Sequence, residues 1–243
     1  MSYRMDLRQH VAAMNEQGYT LLSGFFSPGE CGRMSSLFDS HVAKVKMPVQ
    51  ENGGFGIAIH PLLPAIPELA TFMDRPELAE VLGAVLQDEP HLVHLGARIS
   101  DGQSAHRIGW HHHYGWDVAN LLSRKKVERV LFGVYVNGTM QEVGPLLAKP
   151  RKFDDPIGEC KANKEGIWEG EQFVESPPGS VVIFDTALWH SAQRGTKAGP
   201  RILWGAHVQG WSDLRPHGED NLVNGPEMDS YKTKCKNFAK LIG

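Results

Sequence analysis

The chain has 243 residues, 41% of them hydrophobic, with 25 basic against 28 acidic side chains and a formal net charge of -3. That hydrophobic content is enough for a buried core and excludes wholesale disorder, while the balanced charge lacks the basic stripe of a nucleic-acid binder. No apolar run nears the ~20 residues of a membrane span, and the opening MSYRMDLRQH lacks the apolar segment of a secretory signal.

Leu7 to Gln17 alternates with helical period and stops at Gly18, and Tyr19-Thr20-Leu21-Leu22 reads as a short strand. Ser27-Pro28-Gly29-Glu30 has the form of a capping box and opens a helix to about Lys46. Asp74-Arg75-Pro76-Glu77 repeats the device and opens a helix through Val85. Pro61, Pro64 and Pro67 predict an irregular loop between the two helices. After Pro90 the pattern turns to strands: His91–Ser100, Arg129–Asn137, Gly144–Lys149, Gln172–Ser176, Ser180–Phe184 and Ile202–Gln209, broken by turns such as Pro177-Pro178-Gly179. The basic run Arg124-Lys125-Lys126 reads as a solvated loop. Helices first and strands after is the α+β pattern. The expected organisation is one domain over 1–243, with mainly helical support in 1–90, a β-core in 91–211 and a C-terminal extension in 212–243.

Cys31, Cys160 and Cys235 stand far apart with no CxxC pair, which predicts free thiols, a reducing compartment and hence a cytoplasmic protein. The 12 histidines and 6 tryptophans ask for a more specific explanation, because three histidines are consecutive inside W-H-H-H-Y-G-W. On an extended segment from Trp110 to Asp117, side chains alternate faces, so His111 and His113 point one way and His112 the other. Such a pair directs two imidazoles at one point, which suits Zn, Fe, Cu or Ni. Asp117 has the same parity and competes with His113 as a ligand. The best distant ligand is His190, after the apolar strand in G-S-V-V-I-F-D-T-A-L-W-H. Arg201 opens the next strand and offers a bidentate fork to a carboxylate. Arg98, on the strand before the metal segment, is a second cation for a co-substrate or substrate acid, with a structural ion pair as the competing reading.

With these residues in order, the chain resembles the phytanoyl-CoA dioxygenase family of iron and 2-oxoglutarate oxygenases. In that family a W-H-x-D motif supplies two metal ligands, and a later H-x10-R supplies the third ligand and the co-substrate arginine. Trp110-His111 matches the first half of this pattern, and His190 with Arg201 matches the second. V-N-G-T-M-Q-E-V-G-P-L-L-A-K-P and P-P-G-S-V-V-I-F-D fit the family's intervening segments, so the resemblance covers nearly the whole chain. It implies a double-stranded β-helix (a cupin-like jelly roll) supported by N-terminal helices. It also implies Fe(II) at His111 and His190, 2-oxoglutarate bound through Arg201, and O2-dependent C–H oxidation of a small molecule; His113 as third ligand and Arg98 as a second cofactor-binding cation rest on the residues themselves.

One departure matters: His113 stands where the family has its carboxylate. Three readings follow: an all-histidine site, a carboxylate from Asp117, or an open coordination position. A neutral imidazole in that place leaves an Fe(II) site one unit more positive, and three-histidine sites also suit Zn. Trp110, Tyr114, Trp116 and Trp189 are expected to wall the site. Glu51–Ile66 and Arg151–Ile167 are expected to shape its specificity. The competing functions are a cupin-like metal enzyme without 2-oxoglutarate, supported by H-x-H-x3-D, and a binding protein of the same fold that has lost catalysis.

Overall fold

The computed structural model describes residues 5–45, 56–101, 108–113, 124–213, 230–231 and 233–242. Helix α1 (Leu7–Gln17) starts at Asp6, whose carboxylate accepts from the backbone N–H groups of Arg8 and Gln9, and ends at Gly18 in the left-handed region. Those bonds satisfy donors that a helix start leaves without partners. Strand β1 (Tyr19–Leu22) follows, then α2 (Pro28–Val45). The capping box at its start is reciprocal: Ser27 N–H donates to the Glu30 carboxylate at 2.8 Å, and Glu30 N–H donates to Ser27 Oγ at 3.4 Å.

The proline segment is more regular than expected. It forms β2 (Ile57–Ile59), α3 (Leu62–Ala65), a 3-10 turn at Pro67–Leu69 and α4 (Ala70–Met73). The buried Leu62, Leu63, Leu69 and Phe72 supply the packing that propensity alone did not predict. Helix α5 (Pro76–Leu86) starts at the expected proline, but its cap residue, Arg75, makes no side-chain cap bond. Asp74 serves another helix. Its Oδ1 accepts from the N–H groups of Asn237 and Phe238, at 2.6 and 3.1 Å, at the start of α6 (Lys236–Ile242). Phe238, Leu241 and Ile242 of α6 are buried in the same core as α5, so this end of the chain packs against the helical layer.

The remaining strands are β3 (Pro90–Asp101), β4 (Ile108–His111), β5 (Arg129–Tyr135), β6 (Leu146–Ala148), β7 (Gln172–Val174), β8 (Ser180–Asp185), β9 (His190–Ala192) and β10 (Pro200–Gly210). They form a six-stranded sheet in the order β1-β8-β5-β10-β3-β2 and a four-stranded sheet in the order β4-β9-β6-β7, with every pairing antiparallel. Two strands from the helical first third, β1 and β2, thus edge the large sheet. The result is the expected double-stranded β-helix with helices against one side.

Alternation along the strands divides the large sheet's two faces. Val130, Phe132 and Val134 of β5 and Ile202, Trp204, Ala206 and Val208 of β10 are buried with Phe26, Met34 and Phe38 of the helical side. Each such large apolar side chain contributes about 1.5–3 kcal/mol. The opposite face looks toward the small sheet.

The Arg124-Lys125-Lys126 loop is solvated fully only at Lys125. Arg124 makes a two-pronged ion pair with Asp185, at 2.8 and 3.1 Å, and both side chains are only 1% exposed. Arg151 reaches the same carboxylate at 3.5 Å, and Lys126 pairs with Asp88 at 2.6 Å. The strands' return to the β8–β9 turn buries what the sequence pattern left looking exposed.

Candidate metal centre

A cavity of about 370 Å³ lies between the two sheets. On the large sheet its floor is a grid fixed by register. Arg201, Leu203, Gly205 and His207 of β10 lie opposite Ser100, Arg98, Gly96 and His94 of β3. On the other side, Leu203, Gly205 and His207 lie opposite Tyr135, Gly133 and Leu131 of β5. All of these residues line the cavity. The alternate residues of each strand carry the core, so two-residue periodicity separates site from core. Gly96, Gly205 and Gly133 form one row across three strands. The His60 ring occupies the space above Gly96, where a Cβ would collide with it.

The small sheet supplies the imidazoles. His111 closes β4 directly opposite His190, which opens β9, and their ring centroids are 4.2 Å apart. His113 lies two residues beyond the end of β4, so the extended segment is shorter than the sequence suggests. Its position is set by its own N–H, which donates to the Thr186 carbonyl at 2.7 Å. One nitrogen from each of His111, His113 and His190 lies within 4.8 Å of the others.

The donor set fits a divalent transition metal. His111 Nδ1 is 2.8 Å from the Gly109 carbonyl, and His190 Nδ1 is 3.0 Å from the Leu188 carbonyl. A carbonyl only accepts, so both Nδ1 atoms carry the proton and Nε2 carries the lone pair that can meet a metal, the arrangement that orients histidine ligands. Burial pushes the His190 pKa well below its ordinary value, and neighbouring His111 and His113 push the same way. Burial first, then His111, His112, Arg129 and His94, hold His113 down at about 3. Both rings are therefore neutral at physiological pH, the state that ligation needs.

Arg201 is 7% exposed, lines the cavity beside Tyr135 and, among the described residues, forms no salt bridge. It packs over Gly144, where a Cβ would stand 3.4 Å from its Cδ and Cζ. Burial lowers its pKa, opposed by Tyr135, whose own pKa burial raises to about 12. Arg98 lines the cavity half-buried, one row along from Arg201 on the adjacent strand.

Trp110 and Trp189 do not wall the cavity. Trp110 and Trp189 neighbour cavity-facing histidines in the chain and so face the other side of the small sheet. There they pack around Trp168, with centroids at 5.3 and 5.8 Å, and donate to the carbonyls of Gly166 and Ile157. Ile157 and Gly166 thus tie the 151–167 segment to that outer face, and no residue of it lines the cavity; of 51–66, His60 does among the described residues. His112 packs edge-on against Trp189 at 4.6 Å. Tyr114, Trp116 and Asp117 lie outside the described residues.

Sequence reasoning missed His60, His94, His207 and Arg129. Arg129 donates to His207 Nδ1 at 3.0 Å, which puts the proton of a neutral His207 on Nε2. The His207 ring stands edge-on to His113 at 5.0 Å. Parity was the available signal: counting in twos from Arg201 reaches His207, and from Arg98 reaches His94.

No family model and no curated protein matches the chain by sequence. Solved structures do match. EctD from S. alaskensis, solved with 2-oxoglutarate and 5-hydroxyectoine, aligns over 92% of this chain and 86% of its own at 19% identity and a TM-score of 0.67. SnoN, a non-haem α-ketoglutarate-dependent epimerase of nogalamycin biosynthesis, aligns over 90% and 96% at 13% identity and 0.68. HygX from Streptomyces hygroscopicus, solved with nickel and 2-oxoglutarate, aligns over 84% and 87% at 14% identity and 0.68. At these identities the likeness establishes the shared double-stranded β-helix.

Proposed function

We propose that this chain is a non-haem iron, 2-oxoglutarate-dependent dioxygenase acting on a small molecule, of the phytanoyl-CoA dioxygenase type, cytoplasmic and built as one domain over 1–243. The observation that carries the reading is the triad: His111 and His190 have Nδ1 committed to carbonyls, and a nitrogen of each lies within 4.8 Å of one from His113. The structural relatives solved with 2-oxoglutarate support it.

In this reading His111, His113 and His190 hold Fe(II), and Arg201 receives the distal carboxylate of 2-oxoglutarate. When bound, the iron and its co-substrate supply the O2-dependent oxidation. The protein's part is orientation. Two carbonyls fix the ring planes of His111 and His190, and the Thr186 carbonyl fixes the backbone of His113. Arg201 fits an anion because its guanidinium is desolvated, and a desolvated cation holds a carboxylate more strongly than an exposed one. Leu131, Leu203 and Phe184 line the space between and exclude water.

The test is anaerobic titration with Fe(II) and 2-oxoglutarate, following the weak visible charge-transfer band of the chelate. The band is expected in the wild type and absent from His190→Ala and His113→Ala. Arg201→Gln is expected to keep metal but weaken 2-oxoglutarate by about 2–5 kcal/mol, the cost of removing one partner from a buried charge pair. A band that survives in His113→Ala and is lost in Asp117→Ala would instead make Asp117 the third ligand. A second reading, a metal enzyme that does not use 2-oxoglutarate, is favoured by the all-imidazole donor set, which also suits Zn. Bound iron with no chelate band would select it.

A further inference from the structure

The cavity lining contains two arginines and six histidines and, among the described residues, no aspartate, glutamate or lysine. Three of the histidines form the triad. Such a lining holds positive charge in a partly dehydrated space, where an anion is worth more than at the surface.

The two arginines are separated by the register of the strands. Arg201 lies opposite Ser100 and Arg98 lies opposite Leu203, so they are diagonal neighbours, with Cα atoms roughly 7–8 Å apart by ordinary sheet geometry. They also have different surroundings. Arg201 stands with Tyr135 and Gly144, toward β5 and the small sheet. Arg98 stands in the β3 column, between Gly96 and Ser100 and beside the His60 ring that covers Gly96. One guanidinium fork is sufficient for the distal carboxylate of one 2-oxoglutarate.

On the reading of the preceding subsection, we propose that Arg98 receives a carboxylate of the primary substrate, in the part of the cavity bounded by β3 and His60, beside the co-substrate held by Arg201. Arg98 takes part in contacts of its own. With five N–H donors in a planar fork, a guanidinium keeps such contacts and still presents a pair of donors to a ligand. Burial lowers the Arg98 pKa, the mark of a cation drawn out of water. The substrate class is therefore a small carboxylic acid. Its remaining part lies along the cavity floor past the His60 ring, where Gly205 carries no side chain. The imidazoles of His94 and His207 line the cavity beyond and offer hydrogen bonds.

The experiment loads wild type and Arg98→Gln anaerobically with Fe(II) and saturating 2-oxoglutarate, then titrates each with benzoate and with its neutral isostere benzamide. Thermal unfolding reads binding, and the chelate band reads the co-substrate. Benzoate is expected to raise the wild-type midpoint saturably and to bind at least tenfold tighter than benzamide. In Arg98→Gln that preference is expected to vanish while the band stays. Equal binding of the two probes to wild type, or a preference that survives Arg98→Gln, overturns the inference. Loss of the band in Arg98→Gln overturns it too, by assigning Arg98 to 2-oxoglutarate. If wild type shows no band, the oxygenase reading alone has failed. The same two probes on the metal-free protein then decide: an Arg98-dependent preference for benzoate supports the substrate site, and its absence overturns it.

Discussion

The two sheets that enclose the cavity carry the side chains of the candidate site in different ways. The large sheet presents Arg98 and Arg201 from strands of 12 and 11 residues, where pleat and register alone decide which side chains face inward. The small sheet presents His111 and His190 at the ends of strands of four and three residues, and His113 lies beyond any strand. A long antiparallel strand orients its residues by its own ladder, whereas a short one needs help from outside. Here that help is the Thr186 carbonyl under His113 and the Asp185 carboxylate, which accepts from Ala187 N–H at 3.0 Å within the turn leading to His190. Asp185 is held in turn by Arg124 and Arg151. Precise placement therefore comes from regular backbone on one wall and from a buried polar cluster on the other.

Three substitutions test this contrast. The largest effect is expected from Asp185→Ala, which leaves two guanidiniums buried without their carboxylate. A loss of about 3–5 kcal/mol in urea unfolding is expected, together with weaker Fe(II) binding at the triad. Unchanged metal affinity in the folded variant would remove the cluster from the account of the small sheet. Gly205→Ala tests the other wall, because its Cβ would run into the Phe132 carbonyl of β5. A cost of about 1–3 kcal/mol is expected from that overpacking, with metal affinity kept and 2-oxoglutarate affinity reduced. If metal and co-substrate fall together, the two walls are not separable. The smallest effect is reserved for Lys126→Met, remote from both. Burial works to raise the Asp88 pKa, but hydrogen bonds from Lys126, Ser212 and the Glu89 N–H outweigh it and hold the group at about 2. A depressed folded-state pKa stabilises the protein above the unfolded value near 4, and that stability is lost as pH falls toward 2. Lys126→Met should therefore move acid unfolding to higher pH by a fraction of a unit, followed by circular dichroism, and leave both ligands' binding as in wild type.

Much of this arrangement was legible in the chain. The capping box at Ser27, the stop at Gly18 and the β-core after Pro90 follow from local rules that act over three or four residues. The residues of the candidate centre were legible wherever chemistry and spacing coincide: His111, His113 and His190 come together, and Arg201 lines the same cavity. Reading failed where a residue's partner is distant in sequence. Asp74 has the form of a cap for α5 and serves α6, 163 positions away. Arg124 has the form of a solvated charge and meets Asp185 across 61 positions. Trp110 and Trp189 look like walls of the site because they adjoin its histidines, yet adjacency on a strand means opposite faces.

The order of elements, the inventory of imidazoles and the spacing from His190 to Arg201 are properties of the chain alone, because they depend on local conformation and on residue chemistry. Tertiary structure alone decided that His60, His94 and His207 join the same cavity. It also decided that glycine lines up across three strands and that a carboxylate is buried between two arginines. Each of those depends on strand register and sheet packing, which pair residues many tens of positions apart.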